Sequence, residues 1–254
     1  MAPDTLGVLL QFAVYGALAI LTIVATTLLA LRWEQARRHF VSGVLWCVVL
    51  GVWGAVVGIL YRAQPPIVFV SLFLMFAMHA VVQIPIWPVA RALMEEDRAA
   101  RRWGWPATIG ASVLTAALAG AVTFALFSGV DFKIPDYAVE FEKQLLTSRA
   151  GMMLLVVGAA VYEELVFRLG FFVFLRRAFR RVDGHGIAAI VVSSLLWAFA
   201  HAGAVEPAWL KYLQIFIFGV FQCVLFGLTR RIEAPILTHA LFNAGVVAIG
   251  WSAT

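Results

Sequence analysis

The chain has 254 residues, of which 63% are hydrophobic and 13% charged, and its mean hydropathy is +0.94. Soluble domains typically carry about 25% charged residues, so this composition excludes a water-soluble globular fold and indicates a lipid environment. The formal net charge is +5, but the basic residues lie in short segments between apolar runs. That placement favours membrane-orientation signals over a nucleic-acid-binding surface.

Eight apolar runs approach the length that an α-helix needs to cross a bilayer, which is roughly 20 residues. The sequence therefore predicts an all-α, polytopic transmembrane bundle of about eight helices. The last three runs are short and interrupted by polar groups, as expected of helices that enclose a buried polar site. In chain order the predicted spans are Leu6–Leu31, Phe40–Leu60, Ile67–Ala90, Ala107–Phe127, Met152–Leu175, Ile187–Ala204, Tyr212–Leu228 and Pro235–Trp251.

The basic residues alternate between the seven predicted loops. Thirteen lie in the first, third, fifth and seventh loops, and five lie in the others. By the positive-inside rule the odd loops are cytoplasmic, so both termini are predicted to lie outside. The composition suggests a bacterium, and the expected location is then the cell inner membrane.

The fifth predicted span contains the sequence Glu-Glu-Leu-Val-Phe-Arg, beginning at Glu163. Glu164 and Arg168 share a helical face with the acid first, which is the favoured order for an ion pair. Glu163 is rotated about 100° away and has no local partner. A carboxylate of this kind is a candidate general base. A helix–helix salt bridge with a spare acid is the structural alternative, and the pair alone does not decide between them.

His201 closes the sixth predicted span. A lone His in an apolar helix is usually a packing residue, but its position relative to Glu163 indicates more. If the chain reverses near Val182 between two regular antiparallel helices, residues equidistant from the turn lie at equal depth. Glu163 and His201 satisfy that condition, so we expect the carboxylate and the imidazole to face each other.

Two further pairs of polar residues have the four-residue spacing that places them on one helical face. His239 and Asn243, in the last span, could donate hydrogen bonds to a common oxyanion. For this pair alone, an interhelical polar clamp is the favoured alternative. His79 and Gln83, in the third span, have no carboxylate nearby and are predicted to pack or to contact substrate.

Together these constellations resemble the type II CAAX prenyl endopeptidase family, also called the CAAX protease and bacteriocin-processing family. Its members are glutamic-type intramembrane proteases. Where the family has a Phe four residues before a His, this chain has Trp197 before His201. The other motifs, Glu-Glu-x-x-x-Arg and His-x-x-x-Asn, are matched by Glu163, Glu164 and Arg168 and by His239 and Asn243.

The resemblance implies an endopeptidase that cleaves a membrane-anchored or lipidated protein or peptide, such as one with a C-terminal sorting tail. It implies no cofactor, and no nucleic acid is expected as a partner. Residues 1–148 would form about four N-terminal helices and an outer loop, and residues 149–254 the catalytic helical core. The implied roles are activation of water by Glu163 and His201, binding of the oxyanion by His239 and Asn243, and support of the site by Glu164 and Arg168.

Two alternatives stay open at this point. Glu163, His201 and His239 could supply three zinc ligands and leave a fourth position for water, although the chain has no His-Glu-x-x-His helix. A non-enzymatic scaffold or transport component would use the same polar residues as a binding site or proton relay. The sequence has no inverted repeat, which counts against transport.

Overall fold

A computed structural model describes residues 5–60, 66–96, 103–134, 149–182, 186–201 and 205–252. A π-helical segment, Leu165–Phe172, continues one helix into the next without a break, so the two form a single rod. The described residues thus form eight helical rods, which confirms the predicted all-α bundle. The helices are α1 (Thr5–Leu31), α2 (Trp33–Leu60), α3 (Pro66–Glu96), α4 (Trp105–Ser128), α5 (Arg149–Glu164), α6 (Val173–Phe179), α7 (Ile187–Ala200), α8 (Ala208–Thr229) and α9 (Glu233–Ser252).

Several helices extend beyond the apolar runs that predicted them. Helix α2 begins at Trp33 rather than Phe40, and Glu34 and Arg37 in its first turns form an ion pair at 3.0 Å. Lys211, which the sequence placed in the sixth loop, lies in the first turn of α8. Hydropathy detects only the apolar part of a helix, whereas polar turns at helix ends are stabilised by pairs of this kind. The predicted first loop is therefore shorter than expected, and the sixth lies four residues earlier in the chain, because α7 ends at Ala200 and α8 begins at Ala208.

Some predictions fall outside the described residues. Most of the predicted outer loop, Ser128 to Arg149, is in the range 135–148, and the centre of the predicted turn after Val182 is at 183–185. The basic residues at 62, 98, 101, 102 and 143, which contributed to the loop count, also lie outside the described ranges. The orientation of the chain stays a prediction.

The protein is a multi-pass membrane protein. Within the described ranges, five helical stretches are long and apolar enough to cross a membrane. The remaining predicted spans, formed by the α5–α6 rod, α7 and α9, are those that carry the polar site residues, and α7 is a shorter apolar helix. The five stretches are Phe12–Leu31, Trp33–Ile59, Phe76–Glu96, Trp105–Ser128 and Ala208–Thr229.

Helices α7 and α8 approach each other closely and hold the site from one side. At Gly219 of α8, an added Cβ would lie 2.9 Å from the Cβ of Ser194 on α7, so only glycine permits this approach. Ser193 donates a hydrogen bond at 2.8 Å to the carbonyl of Phe167 in the π-helical segment. These contacts fix α7 against both α8 and the central rod, and π-helical segments of this kind often occur at functional sites.

Candidate active site

Glu163, near the end of α5, faces His201, which caps the end of α7. Glu163 Oε2 lies 3.7 Å from His201 Nε2, and their side chains are 23% and 26% exposed. The expected pairing of carboxylate and imidazole is therefore present. The assumption of regular helices behind that expectation was wrong, because the π-helical segment begins directly after Glu164.

The hydrogen bonds of His201 fix which ring nitrogen carries the proton. Its Nδ1 lies 3.0 Å from the backbone carbonyl oxygen of Trp197. Because a carbonyl oxygen only accepts, Nδ1 must carry the hydrogen, and Nε2 of a neutral ring then presents a lone pair towards Glu163. The 3.7 Å gap is too long for a direct hydrogen bond. A water molecule about 2.8 Å from both atoms could donate one hydrogen to each acceptor.

Behind this pair lies a buried ionic network. Glu164 and Arg168, whose side chains are 0% and 1% exposed, form the predicted ion pair with Oε2 and Nε 3.0 Å apart. The other oxygen of Glu164 lies 2.9 Å from His239 Nδ1 and 3.5 Å from the amide nitrogen of Gln222. A carboxylate at this depth in an apolar bundle is tolerable only with such partners. The carboxylate of Glu164 is thus surrounded by these partners and is closed to solvent.

The buried charge of Arg168 is compensated without a well-aligned hydrogen bond. Its Nε–Oε2 contact with Glu164 is close but is not aligned as a hydrogen bond, and its terminal nitrogens have no hydrogen-bond partner among the described residues. Its guanidinium carbon lies 4.0 Å from the centre of the Trp197 ring. A cation over the face of an indole is attracted by the ring quadrupole, and this contact strengthens when water is excluded. Trp197 therefore contributes to stabilising the buried charge.

His239 and Asn243 are placed differently from each other. His239 is buried and contacts Glu164, and its ring centre is 5.2 Å from that of Trp197. The amide nitrogen of Asn243 donates a hydrogen bond at 3.2 Å to the carbonyl of Val156 on α5. Val156 precedes Glu163 by two helical turns, which is about 10 Å along the axis. In this conformation Asn243 links α9 to α5, as the interhelical-clamp alternative expects.

A cavity of about 150 Å³ opens beside the pair formed by Glu163 and His201. His239 and Asn243 do not line it, so the four predicted catalytic side chains do not share this cavity in this conformation. His79 does line it and also packs against Tyr162, with ring centres 5.7 Å apart, so a substrate contact by His79 stays a prediction. The apolar wall is formed by Val14 and Leu18 of α1, Val166, Phe167 and Phe171 of the π-helical segment, and Ala200.

The sequence predicts interhelical hydrogen bonds for Gln214 and Gln222, which the structure confirms, but sequence reasoning did not connect them with the rest of one face of α8. Lys211, Gln214, Phe218 and Gln222 recur at helical spacing, and this signal could have identified the face that points to the site. The Phe218 ring packs 5.4 Å from that of His239, and Gln222 reaches the buried carboxylate. Lys211 donates a hydrogen bond at 2.9 Å to Gln214 and lies within electrostatic range of both catalytic candidates.

The zinc alternative needs three ligands that converge on one point. Within the part of the chain that the structure describes, no group of three or more His, Cys, Asp or Glu side chains is placed to hold a metal ion. Glu163 and His201 form a pair, while His239 is bonded to Glu164. The expectation of no cofactor stays a prediction that chelation can test.

A carboxylate and an imidazole face each other at a cavity inside a bundle of membrane helices, an arrangement that can hold a water molecule. Residues 145–245 match the sequence model of the family described as type II CAAX prenyl endopeptidase, Rce1-like. This match confirms the resemblance over the segment that carries Glu163, His201 and His239. The match supports the interpretation of the protein as a membrane endopeptidase.

A curated protein is similar to part of this chain. The sporulation-killing factor biosynthesis protein SkfC of Bacillus subtilis (strain 168) is 34% identical over 71 residues. The match covers 28% of this chain and 14% of that protein. No solved structure matches the chain.

Proposed function

We propose that the protein is an intramembrane glutamic-type endopeptidase that hydrolyses a peptide bond in a membrane-anchored or lipidated protein or peptide. The observation that carries this proposal is the pair of Glu163 and His201, whose side chains lie 3.7 Å apart beside a cavity. Both residues belong to the segment that matches the family model. These two side chains are partly accessible, whereas the ionic network behind them is closed. Water and substrate can therefore reach the pair, whereas the ion pair of Glu164 and Arg168 is out of their reach.

The proposed reaction begins with a water molecule held between Glu163 and His201. Glu163 removes one proton from the water as its oxygen attacks the scissile carbonyl carbon, and His201 Nε2 accepts a hydrogen bond from the same water. The tetrahedral intermediate then collapses with cleavage of the carbon–nitrogen bond. The proton held by Glu163 passes to the departing amine, so that the carboxylate is regenerated.

The resemblance assigns the oxyanion to His239 and Asn243. Because Nδ1 of His239 donates to the carboxylate of Glu164, a protonated ring would carry its second hydrogen on Nε2 and could donate it to the developing charge. Asn243 would have to use its second amide hydrogen or turn away from Val156. Catalytic hydrogen bonds often reach their final geometry only when substrate is bound.

The substrate class follows from the membrane setting. A site enclosed by membrane helices is accessible to peptides that are themselves held in the bilayer, by a hydrophobic segment or a lipid. The partial likeness to a protein of killing-factor biosynthesis is compatible with peptide maturation in a bacterium. We further propose a location in the cell inner membrane with both termini outside.

The test is cleavage by the purified protein in lipid nanodiscs, with a library of membrane-anchored peptides as substrate. We expect Glu163→Gln to lower turnover roughly 100- to 10,000-fold, the contribution typical of a general base, while the protein stays folded. The matched control is Glu233→Gln, the same chemical change at an exposed acid in the first turn of α9, which should leave turnover unaltered. Wild-type turnover by the Glu163 variant would exclude the proposed mechanism.

A further inference from the structure

Trp197 lies at the centre of the candidate site and is fully buried. Its indole nitrogen donates a hydrogen bond at 2.5 Å to Oε2 of Glu163. Within the described ranges, no other hydrogen bond to this carboxylate is found. The same oxygen faces Nε2 of His201 at 3.7 Å. Trp197 is therefore bonded directly to the group that the proposed reaction uses as its base.

Packing alone does not explain this tryptophan. A phenylalanine, as in the family pattern, would fill the core without bringing a polar hydrogen that needs an acceptor. The buried N–H must be satisfied, and it is satisfied by a partly exposed carboxylate rather than by a backbone carbonyl. Hydrogen bonds to a charged acceptor are also shorter and stronger than neutral ones. The N–H of Trp197 thus constrains the orientation of the Glu163 side chain.

The surroundings of Trp197 prevent it from moving. The guanidinium of Arg168 lies over its face at 4.0 Å from the ring centre. The rings of His201 and His239 meet it edge to face, with centres 5.6 and 5.2 Å away. The ring of Phe218 closes a further side at 5.5 Å. Because every side is in contact, the indole N–H is held at a fixed point relative to both imidazoles.

We infer that Trp197 is a positioning residue whose indole N–H holds the Glu163 carboxylate in the orientation that activates water. The inference rests on the proposed function, because Trp197 acts only through Glu163. Trp197 does not line the cavity of about 150 Å³, so it does not touch a substrate bound there. Its effect should therefore fall on kcat and leave KM unchanged.

The first test is spectroscopic and needs no substrate. Protein with ¹⁵N-labelled tryptophan in nanodiscs should give nine indole N–H cross-peaks, one for each tryptophan, and Trp197→Phe identifies the signal of interest by its loss. Glu163→Gln replaces the charged acceptor by a weaker neutral one, so this signal should shift upfield. Glu233→Gln should leave it in place. A Trp197 signal that does not respond to Glu163→Gln would overturn the inference.

The second test is kinetic. Trp197→Phe should lower kcat about 10- to 100-fold with KM unchanged, because small misplacements of a catalytic group have effects of this size. Trp87→Phe is the matched control, since Trp87 is also buried, donates to Ser42 at 2.9 Å and lies under an arginine, but is remote from the site. Equal losses in both variants, or wild-type kcat in Trp197→Phe, would overturn the inference.

Misfolding of a variant, failure of the proposed function and failure of the role of Trp197 give different results. If Trp197→Phe does not fold, benzothienylalanine at the same position keeps the shape of the indole and replaces N–H by sulfur, and the same kcat loss is expected. If Glu163→Gln cleaves at the wild-type rate, the proposed function fails whatever the spectrum shows. If Glu163→Gln is inactive but the indole signal is unmoved, only the role of Trp197 fails.

Discussion

Replacement of Glu164 by leucine should destabilise the protein far more than the loss of any exposed acid. The side chains of Glu164 and Arg168 are 0% and 1% exposed, so Glu164→Leu leaves a guanidinium buried without its counter-ion. Breaking a buried pair in this way typically costs about 3–5 kcal/mol. The exposed pair of Glu34 and Arg37, with side chains 78% and 59% exposed, contributes only about 0.3–0.5 kcal/mol.

The assay is reversible unfolding in mixed micelles of mild detergent and sodium dodecyl sulfate, followed by circular dichroism. We expect Glu164→Leu to lose several kcal/mol and Glu34→Gln to lose almost nothing. The double variant Glu164→Leu/Arg168→Met removes both charges and should recover part of the loss, because an apolar pair of similar volume replaces a buried ion pair at little cost. Recovery is incomplete because His239 loses its acceptor in both variants. A loss below about 1 kcal/mol in the single variant, or no recovery in the double variant, would refute the reasoning.

Three further predictions concern packing, the oxyanion and metal. Gly219→Ala should lower the free energy of unfolding by about 1–3 kcal/mol in the same assay, because its Cβ would lie 2.9 Å from that of Ser194. Gly227→Ala on the same helix, with nothing within 4 Å, should have no such effect. Asn243→Ala should lower kcat by about 100-fold or more, because its amide is proposed to reach the oxyanion. Reduced stability with unchanged kcat would show instead that Asn243 only links α9 to the carbonyl of Val156. Cleavage should persist in 1,10-phenanthroline, and a loss that added zinc reverses would establish the metalloprotease alternative.

The sequence predicted the helical bundle and two contacts between its polar residues, because these depend on spacing along the chain. Apolar runs follow from the thickness of the bilayer, and the ion pair of Glu164 with Arg168 follows from four-residue spacing on one helix. The pairing of Glu163 with His201 followed from the symmetry of two antiparallel helices about a turn. Each of these inferences needed only distances along the chain.

Other features of the site depend on how helices pack, which spacing along one helix does not determine. The cavity wall takes Val14 and Leu18 from α1, although the motifs that resemble the family begin far along the chain. The hydrogen bond from Trp197 to Glu163 depends on a side-chain direction across two helices. The sequence shows that Trp197 stands where the family has a phenylalanine. It could not show which acceptor the indole N–H would bond to.

The contacts of Asn243 also depend on a neighbouring helix and not on spacing along its own helix. Its spacing from His239 places both residues on one face of α9, as predicted. The neighbouring helix decides what each side chain reaches, and α5 offers the Glu164 carboxylate to one and the Val156 carbonyl to the other. Two residues on one helical face therefore need not contact the same group or belong to the same site.

The central claim is that the carboxylate of Glu163 makes water nucleophilic for peptide cleavage. The most direct test in the cell is a comparison of membrane-protein termini by mass spectrometry between the wild type and a strain carrying Glu163→Gln at the native locus. We expect at least one membrane-anchored protein to keep an uncut tail in the variant, together with loss of the matching new terminus. Identical sets of termini at equal protein levels would contradict the claim.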